Sequence, residues 1–267
     1  MSSLDLIFDP AVRGVKEGST PKVTLVGAGP GDPELLTRKG YAALLAADVV
    51  FFDELVAPEI IDILPAQTRC IYVGKPNQSA SISQADICQQ LIAAARAGAR
   101  VVRLKGGDPM VFGRSGEEID ALRAAGVEVE IVPGITSANG AAASTQISLT
   151  HRDYAAQVTF VTAARRNGVI GDVRGLAGQG RTLVIYMGIN RARELSEALV
   201  ADGVGAGLPI AIVENATRAD ERVIITTVTD LPVAIARHAV RSPALFIVGD
   251  VVRTYVPMQA ADAAVAH

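Results

Sequence analysis

The chain has 267 residues, a mass of 27.8 kDa and 49% hydrophobic residues, enough for a substantial core in one large or two modest domains. Its net charge of −3 lacks the cationic excess that non-specific binding to nucleic acid requires. The absence of Trp and an aromatic content of 4% disfavour a stacking platform for single strands.

Cysteine and histidine usage narrows the chemistry further. Two cysteines without a CxxC spacing and three scattered histidines argue against a disulfide framework and against a metal site. No apolar run approaches the roughly 18 residues of a membrane span, and the N-terminus lacks a cationic start followed by an apolar block. We therefore expect a cytoplasmic, reduced protein that binds no metal, membrane or nucleic acid.

Apolar runs and helical patterns alternate along the first part of the chain. Residues 1–20 show no sustained period and predict a flexible arm. The alternation that follows is typical of a mostly parallel sheet, and it defines a first α/β domain over residues 21–145. Its predicted strands are 23–26, 49–52, 71–73, 101–104 and 127–132, and its predicted helices are 33–47, 84–96, one from Ser115, and 136–144.

A second α/β domain is predicted over residues 146–257. Residues 145–156 break the alternation and are interpreted as the connection. The Thr-rich strand 223–227 is expected to pair antiparallel, and residues 258–267 form an alanine-rich tail expected to fray. The predicted strands here are 158–162, 182–186, 209–213, 223–227 and 244–248, with helices near 191–201 and 231–237.

Two helix starts carry capping signals. Asp32 precedes Pro33, which suits a cap followed by proline at the first helical position. Ser115 and Glu118 have the spacing of a capping box. In the helix 84–96, Cys88 shares a face with apolar residues, so it is interpreted as a buried core residue and not as a reactive thiol.

Two glycine-rich turns follow apolar strands. Residues 27–32 (GAGPGD) follow the first predicted strand, and residues 105–109 (KGGDP) follow the fourth. In open α/β sheets ligands bind outside the carboxyl ends of the strands, where glycine lets the main chain approach them. The two turns therefore predict one small-molecule site.

The first turn partly matches a dinucleotide-binding loop, because Gly27 and Gly29 follow a strand and Asp53 ends the next one. The match fails at the third glycine position, which is Asp32. A carboxylate at a helix start repels phosphate where the helix dipole would attract it. A cationic ligand without phosphates, such as S-adenosylmethionine, fits this loop better.

Eight motifs in order resemble the uroporphyrinogen-III C-methyltransferases of the tetrapyrrole methylase superfamily, from about Val23 to Val252. Each motif is weak alone, whereas the ordered set is highly specific. The resemblance implies two α/β domains with the active site in the cleft between them, usually in a homodimer. The motifs are VGAGPGD (26–32), DELV (53–56), VGK (73–75), RLKGGDPMVFGR (103–114), VPGITSA (132–138), LTHR (149–152), YMG (186–188) and ENAT (214–217).

The resemblance also implies the methyl donor and its contacts. S-adenosylmethionine, leaving as S-adenosylhomocysteine, is expected to bind mainly small side chains that expose main-chain groups, with Met187 packing against a ring. Position 216 is alanine where glycine is common in the family. The implied contacts are Pro30, Gly106, Gly107, Asp108, Val111, Thr136, Ser137, Met187 and Ala216.

The implied reaction is C-methylation of uroporphyrinogen III at carbons 2 and 7, giving precorrin-2 through precorrin-1. The substrate brings its own carbon nucleophile, so the enzyme chiefly positions it. By the resemblance Asp53 is a proton acceptor and Lys75 a donor, while Arg114, Glu117 and Arg152 lie near the macrocycle. Further candidates for the substrate carboxylates or for proton transfer are Arg38, Arg165, Arg166 and His151.

Several alternatives stay open from the sequence. Within the superfamily these are another precorrin methyltransferase and an rRNA 2′-O-methyltransferase, the latter disfavoured by the acidic pI near 5.7. From other classes they are a NAD-binding oxidoreductase and a catalytically silent S-adenosylmethionine-binding regulator. The chain lacks room for the dehydrogenase and ferrochelatase domain fused to some relatives, so we expect a stand-alone methylase whose product could enter siroheme, cobalamin or haem d1 synthesis.

Overall fold

The structure, a computed structural model, describes residues 20–74, 82–164 and 170–257. The predicted arm up to residue 19 and the tail 258–267 lie outside these ranges, as do Lys75, Arg165 and Arg166. Internal contacts divide the chain into two compact units, one ending at Ser137 and one beginning at Ala138. No helix in the described ranges is long and apolar enough to cross a membrane.

The first unit is built on five parallel strands in the order β3-β2-β4-β1-β5. Every predicted strand of this region is present, and the apolar runs of the three central strands, β2, β4 and β1, are largely buried, as is typical of parallel sheets covered on both faces. The strands are β1 Lys22–Gly27, β2 Val49–Phe52, β3 Arg69–Tyr72, β4 Val101–Lys105 and β5 Glu128–Val132.

Helices cover both faces of this sheet. Leu44 of α1 and Ile60 of α2 pack with Val26 and Leu104 on one face, whereas α3 and α4 cover the other face with Leu91 and Leu122. The connections leaving β1 and β4 thus run to opposite faces from adjacent strands, and ligands bind at such switch points. The helices are α1 Arg38–Ala46, α2 Pro58–Asp62, α3 Gln84–Arg96 and α4 Ser115–Ala124.

The second unit contains a mixed sheet in the order β6-β7-β10-β8-β9. The Thr-rich strand pairs antiparallel with β8, as predicted. Helices α6 and α7 cover one face around Leu195 and Phe246, and α5 covers the other through Ala138 and Ala141. The elements are α5 Ser137–Thr145, β6 Ala155–Thr162, β7 Gly180–Tyr186, α6 Ala192–Ala201, β8 Pro209–Glu214, β9 Arg222–Thr227, α7 Leu231–Arg237 and β10 Ala244–Val248.

Two local predictions for the first unit were wrong. The predicted helix 33–47 is a short 3-10 turn, Pro33–Leu35, followed by α1, because Leu36 is extended and Thr37 Oγ1 accepts a hydrogen bond from Gly40 N (3.1 Å). The capping box was predicted at Ser115–Glu118, but α4 begins without a side-chain cap. The capping box of this unit is instead formed at the start of α3 by Ser83 and Asp86.

Three charged side chains join β1, α1 and β5. Glu130 lies 2.8 Å from Lys22 Nζ and 2.6 Å from Lys39 Nζ. The hydrogen bonds from Lys22 and then Lys39 hold the pKa of Glu130 below its ordinary value. Because a depressed native pKa means that the unfolded state binds more protons, this contribution to stability is present above the unfolded pKa of about 4.3 and is lost as pH falls through the native pKa.

We therefore predict that Glu130→Gln lowers the free energy of unfolding by about 0.5–1 kcal/mol at pH 7, as expected for partly exposed ion pairs. The difference from wild type should vanish below the native pKa of Glu130, where both side chains are neutral. Urea denaturation at pH 7 and at successively lower pH values measures it. Glu128→Gln is the control, since Glu128 lies 3.8 Å from Lys22 Nζ; an equal loss in both variants would contradict the prediction.

Candidate functional site in the glycine loops

The loops that follow β1 and β4 are joined by backbone hydrogen bonds. Gly29 N donates to Gly107 O (3.2 Å), Gly107 N donates to Gly29 O (2.7 Å), and Ala28 N donates to Lys105 O (2.8 Å). Gly29 and Gly107 have φ values of +79° and +66°, which glycine adopts without a steric penalty. The two glycine turns predicted from the sequence are therefore held side by side by these hydrogen bonds.

The loop after β5 packs against the same backbone. A Cβ built on Gly134 would lie 2.8 Å from Gly27 Cα and closer still to Gly107 O. A Cβ built on Gly107 would lie 3.7 Å from Ser137 Oγ. The structure thus brings three residues that were predicted to contact the methyl donor, Gly107, Thr136 and Ser137, to one edge of the sheet.

Asp108 fastens these loops together. Its Oδ2 accepts a hydrogen bond from Gly134 N (3.0 Å), and its Oδ1 accepts one from Met110 N (2.8 Å). Asp32 has a similar local role, because its Oδ1 accepts from Glu34 N (2.8 Å) as the predicted cap. Pro30 is buried between these segments, and Val111 is half-buried in the loop after β4.

The loop after β2 reaches the same edge. A Cβ on Gly106 would lie 2.6 Å from Leu55 Cβ, so a larger residue at position 106 would displace this loop. Asp53 Oδ1 accepts a hydrogen bond from Leu55 N (3.2 Å). The Asp53 side chain is 22% exposed, and its carboxylate is therefore accessible to a molecule bound at this edge.

A buried cluster of charged side chains, which was not predicted from the sequence, lies beneath the loops. Arg103 Nη2 donates to Asp53 Oδ2 (2.8 Å), and Arg103 Nε donates to Glu118 Oε1 (3.3 Å). Lys105 Nζ donates to both oxygens of Glu118 (3.1 and 3.0 Å). Gln84 Nε2 donates to Glu118 Oε1 (2.9 Å).

Burial is severe in this cluster. Glu118 is fully buried, and the Arg103 and Lys105 side chains are 5% and 6% exposed. Burial and then the charge of Arg103 lower the pKa of Lys105, although Glu118 opposes the change. The sequence did contain a signal for this cluster: Arg103 and Lys105 lie two residues apart in a central strand, so both side chains are on one face of the sheet. Glu118, interpreted as a cap, is their counter-ion.

Arg114 and Glu117 form an exposed ion pair at the start of α4. Arg114 Nε and Nη2 donate to the two carboxylate oxygens of Glu117 (3.0 and 2.8 Å). This contact raises the pKa of Arg114. Arg114 has φ of +56°, a left-handed conformation that costs a non-glycine residue about 1–3 kcal/mol and is concentrated at functional sites.

In the second unit, Met187 and Ala216 follow the carboxyl ends of β7 and β8, at one edge of the sheet. Met187 is 49% exposed and has φ of +56°. Ala216 is buried between Asn215 and Thr217, which also have positive φ values. Strained backbone therefore occurs at Met187 itself and on both sides of Ala216, and such strain is concentrated at functional sites.

Arg152 and His151 occupy a turn before the amino end of β6. Since β6 runs parallel to β7, this turn lies at the opposite edge of the sheet from Met187. The Arg152 side chain is exposed. His151 Nδ1 accepts a hydrogen bond from Asp153 N (3.1 Å), which leaves Nε2 as the nitrogen that carries the proton in the neutral ring.

One depression among the described residues is lined by none of the predicted site residues. A shallow depression of about 470 Å³ is lined by Gly178, Asp202 and Arg253 at the amino ends of β7 and β8. Arg38 is exposed at the first position of α1. Among the described residues, no three His, Cys, Asp or Glu side chains are grouped so as to hold a metal ion.

Comparison with known proteins assigns the family. The model for tetrapyrrole (corrin/porphyrin) methylases matches residues 22–232. Siroheme synthases of Chromobacterium violaceum and Gluconacetobacter diazotrophicus are 49% and 46% identical over 231 and 249 residues, or 86% and 92% of the chain. The chain spans about half the length of these relatives, 49% and 53%.

Solved structures agree with the family model. The uroporphyrin-III C-methyltransferase of Thermus thermophilus, in complex with S-adenosylhomocysteine, has a TM-score of 0.77 and 41% identity, covering 88% of this chain and 100% of that one. A cobalt precorrin-4 methyltransferase has a TM-score of 0.77 and 29% identity, covering 86% and 95%. The chain belongs to the tetrapyrrole methylase family and has its two-domain α/β fold, as the motifs predicted.

The close approach of the three loops yields a prediction. Gly134→Ala places a methyl group against Gly107 O and Gly27 Cα, and such overpacking costs about 1–3 kcal/mol. We expect a matching loss in the free energy of unfolding, measured by urea denaturation. Gly116→Ala is the control, because a Cβ there meets nothing within 4 Å; equal stabilities of the two variants would show that the loops are not tightly packed.

Proposed function

We propose that this chain transfers methyl groups from S-adenosylmethionine to carbons 2 and 7 of uroporphyrinogen III, forming precorrin-2 through precorrin-1. The 41% identity to the Thermus thermophilus enzyme over that enzyme's full length carries the proposal. The lower identity of 29% to a cobalt precorrin-4 methyltransferase supports the earlier substrate over a later one. Membership of a methylase family removes the support for a NAD-binding oxidoreductase.

The joined glycine loops suit the methyl donor. They present main-chain groups of Gly106, Gly107 and Thr136, while Asp32 and Asp108 contribute negative charge where a sulfonium would bind. Pro30, Val111, Ser137, Met187 and Ala216 complete the proposed donor contacts. When the donor is bound, its carbon–sulfur bond breaks as a carbon–carbon bond to the macrocycle forms.

Methyl transfer makes the attacked carbon quaternary and leaves a positive charge on the macrocycle, which must lose a proton to become neutral. We propose Asp53 as its acceptor, because an ionised carboxylate retains lone pairs beyond the two hydrogen bonds that it accepts. Lys75 is proposed as a proton donor. Arg114, Glu117 and Arg152 are proposed to face the substrate, where a guanidinium can bind a carboxylate with two parallel hydrogen bonds.

The assay that tests the function uses purified protein, S-adenosylmethionine and uroporphyrinogen III under anaerobic conditions. Mass spectrometry should detect products that carry first one and then two additional methyl groups. Calorimetry should detect binding of S-adenosylhomocysteine. Binding of NAD without binding of S-adenosylhomocysteine, or methylation only of a later precorrin, would refute the proposal.

Two substitutions should separate donor binding from turnover. Asp108→Ala removes the acceptor that fastens the loops, and a charged hydrogen bond is worth about 1.5–3 kcal/mol, so we expect S-adenosylhomocysteine to bind at least tenfold more weakly. The matched control is Asp202→Ala, since Asp202 Oδ2 likewise accepts from a glycine amide, Gly175 N (2.6 Å). An unchanged affinity in Asp108→Ala would contradict the proposed donor loop.

Arg114→Ala should instead lower kcat about tenfold or more while leaving the affinity for S-adenosylhomocysteine within about twofold, because one charge-assisted contact to substrate is lost. Arg253→Ala is the control: Arg253 makes the same type of i,i+3 pair, with Asp250, and its side chain has the same exposure of 57%. Full activity of Arg114→Ala would refute its assignment.

We also propose a homodimer, on the family resemblance alone. Light scattering with size-exclusion chromatography should return twice the chain mass of 27.8 kDa. A monomeric mass at micromolar concentration would contradict this assembly.

A further inference from the structure

The Asp53 carboxylate is held from two sides. Leu55 N donates to Oδ1 (3.2 Å) from the loop, and Arg103 Nη2 donates to Oδ2 (2.8 Å) from within the sheet. The first contact is a local turn that Asp53 makes with its own backbone. The second is a charge-assisted bond across 50 residues of sequence, so the orientation of Oδ2 depends on where Arg103 is fixed.

Arg103 is fixed by its remaining donors. Nη1 donates to the carbonyl oxygens of Leu104 (2.8 Å) and Phe51 (3.4 Å), and Nε donates to Glu118 Oε1 (3.3 Å). The planar guanidinium therefore has partners on three sides before it reaches Asp53, which a lysine ammonium on a flexible stem would not reproduce. Since the Arg103 side chain is only 5% exposed, it approaches Asp53 from the buried side and leaves the opposite side accessible.

Glu118 is the anchor of this arrangement. It is fully buried and receives hydrogen bonds from Arg103, Lys105 and Gln84. Two carboxylates and two cations alternate through the cluster, so none of the four charges lacks a counter-ion. A buried ion pair is weak support for stability, because apolar residues of similar volume are often at least as stabilising. The cost of burying this cluster is better explained by a positional role.

We propose that Arg103, clamped by Glu118, is a positioning residue that orients the Asp53 carboxylate toward the macrocyclic substrate. This inference rests on the proposed function, in which Asp53 accepts the proton released after methyl transfer. Arg103 does not itself touch the substrate. Its effect on turnover must therefore pass entirely through Asp53.

The experiment is a double-mutant cycle. Arg103→Lys keeps the charge and loses the planar fork, so we expect kcat to fall about tenfold to a hundredfold while the affinity for S-adenosylhomocysteine stays within about twofold. In an Asp53→Asn background, Arg103→Lys should cause no further loss. Additive losses, or a kcat at the wild-type value in Arg103→Lys, would overturn the inference, since groups that act as a unit are non-additive.

The matched control is Arg100→Lys. Arg100 donates from Nε and Nη2 to Asp48 (3.1 and 2.7 Å), and this pair lies at the amino ends of β4 and β2, the strands that carry Arg103 and lead to Asp53. It should leave kcat unchanged in both backgrounds. Thermal unfolding checks that each variant folds. If Arg103→Lys does not fold, Arg103→Gln replaces it, and the same changes in kcat and in the affinity for S-adenosylhomocysteine are expected.

A crystal structure of the Arg103 variant separates this inference from the proposed function. If wild-type protein does not methylate uroporphyrinogen III, the proposed function fails, and the orientation of Asp53 still decides the inference. A rotated Asp53 carboxylate in the variant supports it. An Asp53 carboxylate that keeps its wild-type position in the variant overturns the inference. If Asp53→Asn has no measurable turnover, the kinetic cycle gives no result, and the orientation of Asp53 in this crystal structure decides the inference instead.

Discussion

The arrangement of the first unit depends on the contact of three backbone segments at the carboxyl ends of β4, β1 and β5. Gly27, Gly107 and Gly134 approach one another so closely that a methyl group added at Gly27 or at Gly134 would overlap backbone atoms of the neighbouring segments. The exchange of hydrogen bonds between Gly29 and Gly107 satisfies amide groups that the close approach would otherwise bury unpaired. Main-chain groups at this edge are thereby fixed before any ligand binds, which lowers the entropic cost of binding.

The local sequence was sufficient to predict most elements of the fold. The apolar runs of a parallel sheet are buried on both faces, so they stand out without any knowledge of their neighbours. Strand β2, helix α3 and helix α7 were predicted with the bounds that the structure has. The break at Leu36 and the short helix α2 were missed, because neither changes the hydrophobic pattern and each depends on contacts beyond its own residues.

The glycine loops of the site were predicted from the sequence, whereas the buried charged cluster was not, because it depends on tertiary packing. Glycine turns after strands mark the loops, since glycine there has a local conformational reason. Arg103 and Lys105 gave a weaker signal, because a cation in a strand is ordinarily exposed. Their counter-ion, Glu118, belongs to the following helix, where its spacing from Ser115 equally suits a cap. Only the packing of α4 on β4 distinguishes these interpretations, and that packing is a property of the whole unit.

The fold also changes how the acidic residues of the loops should be understood. The sequence favours a cationic ligand because of the Asp32 carboxylate, but each aspartate of the loops also has a structural role, since Asp32 caps a turn, Asp108 links two loops, and Asp53 pairs with Arg103. Asp53 pairs with the buried Arg103 guanidinium, whereas Asp32 and Asp108 each accept a hydrogen bond from a backbone amide. In the proposed function, Asp108 lies in the loops proposed to bind the sulfonium donor, and Asp53 is the proposed proton acceptor. The nature of the hydrogen-bond donor, a buried guanidinium for Asp53 and a backbone amide for Asp108, thus agrees with the separate roles proposed for these two residues.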